Sequence, residues 1–254
     1  MGFSYSDWSG VFYPEDMKPA EYLGFYARFH DAVELDTTFY ATPAKATIER
    51  WRDVTPKHFR FCPKVPRLVT HDMPIDKADE PMRDFLQAMR LLGDKLGVVL
   101  IQFPPSFHAT NVGRLRTFLA TLPRDARFAV EFRDRSWFKP ATSELLAEFG
   151  CAWAAADYVQ EPAQVHATTD FLYVRLIGEH ERFPQHNREQ VDVTERLKWW
   201  KAQIESASAN ARHVHVMFSN DYAGFSIATC NRFREIIGQP VRIPSPADKG
   251  QLFG

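Results

Sequence analysis

The chain has 254 residues and a formal net charge of -1, with hydrophobic residues at 45% and aromatics at 14%. That composition supplies the apolar surface of a packed core and excludes a chain whose main state is disordered. Near-neutrality argues against nucleic-acid binding through bulk positive charge, while a local basic pocket for an anion stays compatible with it. Cys62, Cys151 and Cys230 are odd in number and far apart, without CxxC or His-Cys spacing, and read as reduced, buried thiols. No stretch approaches the ~20 apolar residues that span a bilayer. Met1 to Gly10 has neither the basic start nor the apolar run of a signal peptide, so a cytoplasmic location is expected.

Seven short runs rich in β-branched and aromatic residues read as strands: Ala32 to Leu35, Phe59 to Val65, Gly97 to Gln102, Arg127 to Phe132, Ala152 to Ala156, Phe171 to Leu176 and His213 to Phe218. Helix-like segments lie between most of them. Pro19 to His30 comes first, and Thr42-Pro43 then introduces Ala44 to Asp53. Glu80 to Leu92 and Asn111 to Leu122 follow, Thr142 opens a segment closed by Gly150, Thr194 to Ala209 carries Leu197, Trp200 and Ile204 at helical spacing, and Gly238 closes Ser226 to Ile237. The link Asp157 to Asp170 is too short and polar for a full crossover helix.

Strands alternating with helices imply a parallel sheet, and the apolar run Val98 to Ile101 suits a strand covered on both faces. With a length close to the ~250 residues typical of the fold, the expectation is α/β, a TIM (β/α)8-type barrel in a single domain over residues 1–254. No composition shift or long linker divides the chain.

Polar residues terminate the strands: Glu34 with Asp36, Lys64, Gln102, Glu131 with Arg133, Asp157, Arg175, and Asn220 with Asp221. In a barrel these ends meet at one mouth, where active sites of the fold are built. Glu131, Glu34 and Asp157 are the candidate catalytic carboxylates. Lys64, Arg133 and Arg175, with Gln102, Asn220, Tyr5 and Trp137, are the candidate substrate contacts, since fixed positive charge beside carboxylates suits gripping an anion while an acid moves a proton. The plainer reading makes Glu131 and Arg133 a structural ion pair, and the amides satisfiers of loop backbone.

His71 and His108 lie just beyond strand ends, where a lone histidine is more often solvated, and His213 and His215 sit at the start of the last strand, away from the mouth. Without HxH or HExxH spacing no metal is expected, and no cofactor motif appears. GxGxxG, GxxxxGK[ST] and GxSxG are all absent. The aromatics Trp8, Phe12, Tyr13, Phe39, Tyr40, Phe107 and Trp137 near loops suit core or lid packing more often than ligand stacking.

Ser4-Tyr5-Ser6-Asp7-Trp8 with Phe12-Tyr13-Pro14, Val33 to Tyr40, Phe61 to Lys64, Gln102 to Phe107, Val130 to Arg133 with Ser136-Trp137, Tyr173 to Leu176 and Phe218 to Asp221 together resemble the YecE-like family, a domain family of unassigned function. The resemblance covers nearly the whole chain and implies a TIM-barrel-like fold without a reaction. Family members open with a strand ahead of the Trp/Tyr block, whereas Met1-Gly2-Phe3 starts almost inside it, so the first strand is expected to be missing or truncated. That would leave two open edges and a gap in the core unless another segment covers them.

The leading functional expectation is an enzyme, hydrolase or isomerase, doing carboxylate acid-base chemistry on a small anionic or sugar-phosphate-like molecule. The alternatives are a nucleic-acid-binding or nucleic-acid-processing barrel using Arg52, Lys57, Arg60, Lys64 and Arg67, and a non-catalytic ligand-binding barrel.

Overall fold

A computed structural model describes residues 1–158, 164–245 and 248. Its strands, each close to its sequence expectation, are β1 (Ala32–Leu35), β2 (Arg60–Pro63), β3 (Val98–Gln102), β4 (Arg127–Glu131), β5 (Cys151–Trp153), β6 (Ala155–Asp157), β7 (Phe171–Leu176) and β8 (His213–Phe218). The expected fifth strand is two pieces, because Ala154 turns its N–H to the Val130 carbonyl at 2.9 Å while the next residues pair with β7 instead. The helices are α1 (Tyr22–Phe29), α2 (Lys45–Asp53), α3 (Arg67–Thr70), α4 (Asp79–Met89), α5 (Val112–Thr121), α6 (Pro140–Glu148), α7 (Thr194–Ala207), α8 (Asn220–Ala223) and α9 (Ser226–Ile236).

Two helix starts differ from expectation. Pro43 lies outside α2, which begins at Lys45 after Ala44, whereas Pro140 supplies the first position of α6 and Thr142 is buried inside it. A proline with its φ preset and no N–H to satisfy suits the first turn, so the Lys139-Pro140 step outcompetes Thr142 as the start. Gly150 and Gly238, at φ +67° and +73°, adopt the left-handed conformation just past α6 and α9. The link from Asp157 to Asp170 falls partly outside the described residues, and those described in it are not helical.

All strand pairs are parallel and form three sheets among the described residues: β1-β2, β3-β4-β5 and β6-β7-β8. Single bridges, Phe61 to Leu96 and Lys64 to Leu100, join β2 to β3. The expected closed barrel is not seen. The break at Ala154 separates two sheets, and no described strand lies between β8 and β1. Two backbone hydrogen bonds of the first residues bridge that gap: the Met1 ammonium donates to the Phe218 carbonyl, and the Gly2 N–H donates to the Glu34 carbonyl at 2.9 Å.

Side-chain alternation sorts the strands into two faces. On one face Cys62, Val98, Leu100, Ala129, Ala152, Ala154, Ala156, Phe171, Tyr173 and Met217 pack into a single inner cluster. The other face is covered by helices. Leu23, Ile48, Phe85, Leu115, Phe118 and Leu145 pack with Val33, Val99, Ile101 and Val130, while Leu197, Trp200 and Phe233 pack with Leu172, Val174 and Phe218. Fully burying such side chains contributes roughly 1.5–3 kcal/mol each. A helix layer on a parallel sheet is what the near-continuous apolar runs require. No helix of the described residues is long and apolar enough to cross a membrane, and Cys62, Cys151 and Cys230 are free.

Candidate functional site

At the carboxyl ends of the strands the inner face turns from apolar to charged. Glu34, two positions after Ala32, and Arg175, two positions after Tyr173, project into the same space, as do Glu131 after Ala129 and Lys64 after Cys62. Arg175 is the hub. Its Nε and Nη2 donate to Glu34 Oε2 and Oε1 at 2.9 and 2.6 Å, and its Nη1 donates to Glu131 Oε2 at 2.6 Å. The Tyr173 hydroxyl donates to Glu34 Oε2 at 2.8 Å. Arg133 Nη2 lies 2.6 Å from Glu131 Oε1, and its guanidinium sits 4.1 Å over the Tyr158 ring.

Both glutamates are fully buried. Burial alone would raise their pKa values, but Arg175 for Glu34, and Arg133 with Arg175 for Glu131, hold both carboxyls below the usual range. They are fixed anions, bound to fixed cations.

One layer outward stand Lys64 and Tyr5, which sequence reasoning selected, and Asp36, which it placed beside Glu34 but did not select. Asp36 Oδ1 is 3.7 Å from Arg175 Nη2, and its side chain is 40% exposed. Burial of its inner edge and the Glu34 charge push its carboxyl up to about 6. Lys64 Nζ sits 4.1 Å over the Phe39 ring, and burial and Arg175 lower its pKa. The Thr38 hydroxyl lies 2.7 Å from the carbonyl oxygens of both Leu35 and Lys64, tying the Asp36 turn to the Lys64 turn. His71 packs edge-on against Phe39 at 5.0 Å. Across the mouth, His186 Nε2 lies 3.2 Å from Asp221 Oδ1, and Tyr5 stands near His186 with its hydroxyl donating to the Met1 carbonyl at 3.0 Å. Gly178 keeps Asp221 close: a Cβ there would stand 2.3 Å from the Asp221 carbonyl oxygen.

Glu34, Glu131, Lys64, Arg133, Arg175 and Tyr5 are thus brought together. Gln102 is paired in register with Glu131 and buried, its amide donating to the Phe103 carbonyl at 2.7 Å. Three residues point elsewhere. Asp157 accepts from Arg196 Nη2 at 2.8 Å, Trp200 Nε1 at 2.6 Å and the Tyr222 hydroxyl at 2.7 Å, all on the helix-covered face. Trp137 is buried against Phe132 at 4.3 Å with its Nε1 donating to the Phe107 carbonyl at 2.6 Å. Asn220 is buried, its Oδ1 accepting from the Ser226 N–H at 3.0 Å. His108 pairs with Asp134 at 3.1 Å on the surface. Of the basic residues considered for phosphate contact, Arg60 opens β2 while Lys64 follows its end, and Arg52 and Arg67 pair with Asp53 and Asp72. Among the described residues no group of three or more His, Cys, Asp or Glu is placed to hold a metal ion.

A cavity of about 1200 Å³ lies away from this mouth; it runs between β1 and β8 toward the amino-terminal ends of the strands and touches the charged network at Met1 and Glu34.

Helix-covered parallel sheets with a charged network at the carboxyl ends of their strands define an α/β protein. The sequence matches the family described as "Protein of unknown function DUF72" over residues 1–251, and the chain belongs to that family. The UPF0759 protein YunF of Bacillus subtilis is 28% identical, over 84% of this chain and 85% of that protein. The UPF0759 protein YecE of Escherichia coli is 34% identical over 119 residues, 47% of this chain and 44% of YecE, so the chain spans under half the length of that relative in the match. A DUF72 family protein from Thermotoga maritima shares the fold at TM-score 0.79 and 30% identity, covering 94% of this chain and 97% of that one. One from Enterococcus faecalis does so at TM-score 0.73 and 22% identity, covering 86% and 94%.

Proposed function

We propose that the chain is a cytoplasmic enzyme, a hydrolase or isomerase, that binds a small anionic molecule at the carboxyl ends of a (β/α)8-type barrel. The observation that carries this reading is that Asp36, 3.7 Å from Arg175 Nη2, and Lys64, over the Phe39 ring, both stand at the edge of the buried Glu34–Arg175–Glu131 network, each within electrostatic reach of the other. Both groups have pKa values drawn toward neutrality, the usual arrangement of an acid-base pair. Lys64 and Arg133 hold the anionic group of the ligand. Asp36 exchanges a proton with the reacting atom, while Arg175 and the two glutamates form a rigid floor that needs no reorganisation as charge develops. The catalytic carboxylate therefore shifts from the Glu34, Glu131 and Asp157 set to Asp36.

A thermal-shift panel of phosphomonoesters and small carboxylates tests it, with Lys64→Met and Asp36→Asn beside the parent chain. A ligand that stabilises the parent is expected to lose at least tenfold in affinity with Lys64→Met. Asp36→Asn is expected to keep binding and lose turnover. A ligand-bound structure with the molecule remote from Lys64, Arg133 and Asp36 overturns the site. Binding with no turnover of any candidate makes the chain a ligand-binding protein instead.

A further inference from the structure

We infer that the cavity at the opposite, amino-terminal ends of the strands is a second ligand site, built for a phosphomonoester-like dianion with an apolar body and held by Arg60, Arg127, His213 and His215. The four residues line that one cavity. Alternation puts them there: Arg60 is two positions before Cys62, Arg127 two before Ala129, and His215 two before Met217, so each shares its face with a member of the inner cluster. They arise from three strands, β2, β4 and β8, that border the same hollow, which also runs along β1.

The charge balance there is one-sided. Arg60 Nη1 donates only to the carbonyls of Lys57 and Phe59, at 2.9 and 3.1 Å, and the Arg127 guanidinium lies 5.6 Å from the Phe171 ring centroid. Neither has a carboxylate partner among the described residues. The acids on the same cavity are mostly engaged: Asp31 by Arg242 at 2.7 Å, Asp125 by Arg90 at 2.8 Å, Glu34 by Arg175 at 2.6 Å, and Glu205 by Lys201 at 3.7 Å, while Asp94 is exposed.

His215 Nε2 is buried with no hydrogen-bond partner. Burial, then His213, Arg127 and Arg60, hold its ring down to about 4, so it stays neutral beside the cations. A buried polar atom left unpaired is costly, and like charges facing one hollow repel. An oxyanion removes both penalties at once. It supplies the acceptor that a protonated His215 needs and the counter-charge that Arg60 and Arg127 lack. One part of the wall, formed by Val98, Met217, Ile227 and Phe233, is apolar and buried, which offers a surface to a hydrocarbon or aromatic body on the phosphate.

The test uses inorganic phosphate and phenyl phosphate as probes on the whole chain, with chloride at matched ionic strength as control. Histidine ring NMR follows His215, and thermal shift compares the parent with Arg127→Met, Arg60→Met and Lys64→Met. Phosphate is expected to move the His215 signals and raise its titration midpoint, phenyl phosphate to bind more tightly than phosphate, and either arginine variant to lose at least tenfold in affinity. If one arginine variant does not fold, the other and the His215 signals of the parent decide. Equal effects of chloride, a silent His215, or binding lost with Lys64→Met but kept with Arg127→Met each overturn the site. The last outcome places phosphate at the other mouth, so the two ends of the molecule are told apart.

Discussion

Arg175 grips Glu34 through two parallel hydrogen bonds, Nε to Oε2 and Nη2 to Oε1, across 141 positions of sequence. Its third edge serves Glu131. One planar guanidinium thus hydrogen-bonds two buried carboxylates at once, a geometry a lysine ammonium does not reproduce.

Removing that hub leaves Glu34 buried without its cation and Glu131 with Arg133 alone. Arg175→Met is expected to destabilise the fold by about 3–5 kcal/mol, the usual cost of breaking a buried pair by deleting one partner. Arg175→Lys should recover only part of it. Urea denaturation checks both, and a variant within 1 kcal/mol of the parent, roughly the value of an exposed pair, contradicts the hub role.

Asp36 makes stability fall as pH rises. Its folded pKa, about 6, lies above its ordinary value of 3.8, so its contribution is fully present below pH 3.8 and lost as pH rises through 6. Asp36→Asn should therefore gain stability relative to the parent at pH 7, with the difference shrinking toward pH 4. Urea midpoints of both chains across that window read it directly, and a pH-independent difference rules it out.

His30 acts with the opposite sign. Burial, then Arg234, depress its pKa from 6.5 to about 3, and its ring stacks on Tyr26 at 4.4 Å. Above pH 6.5 its contribution is intact. As pH falls toward 3 the unfolded chain takes the proton and the folded one does not, so stability declines by up to about 1.4 kcal/mol per pH unit. His30→Phe should flatten the acid limb relative to the parent. An unchanged slope between pH 6 and 4 counts against it.

Asp157 is a structural residue in this arrangement. Asp157→Ala leaves Arg196, Trp200 and Tyr222 without their shared acceptor and is expected to cost roughly 2–4 kcal/mol, since hydrogen bonds to a charged group are worth about 1.5–3 kcal/mol each and part is recovered by water. Affinity at the Lys64 mouth should stay within twofold of the parent. Lost binding in a folded Asp157→Ala protein would put Asp157 back among the ligand contacts.

How much of this was legible beforehand differs by residue. The run Ala152, Ala154, Ala156 already marks one face of its strand with small side chains, and Asp157 belongs by parity to the other face with Cys151, Trp153 and Ala155. Reading the strand end alone missed that, whereas period-2 counting would have found it. Tyr173, two positions before Arg175, was accessible to the same counting. Trp137 and Asn220 were not: whether a strand-end aromatic or amide reaches a ligand depends on which loop closes over it, and Phe107 and Ser226 lie 30 and 6 positions away.

Sequence alone determined the order of strands and helices, their parallel pairing and the identity of the charged residues at the strand ends, because hydrophobic period and capping chemistry act over a few neighbouring positions. Only tertiary structure decided that Glu34 and Glu131 share one arginine, that Asp36 stays open to solvent, and that Arg60, Arg127 and His215 face a common hollow. Those outcomes depend on which distant strands become neighbours and on how far each charge is removed from water, and desolvation has no local signature in the chain.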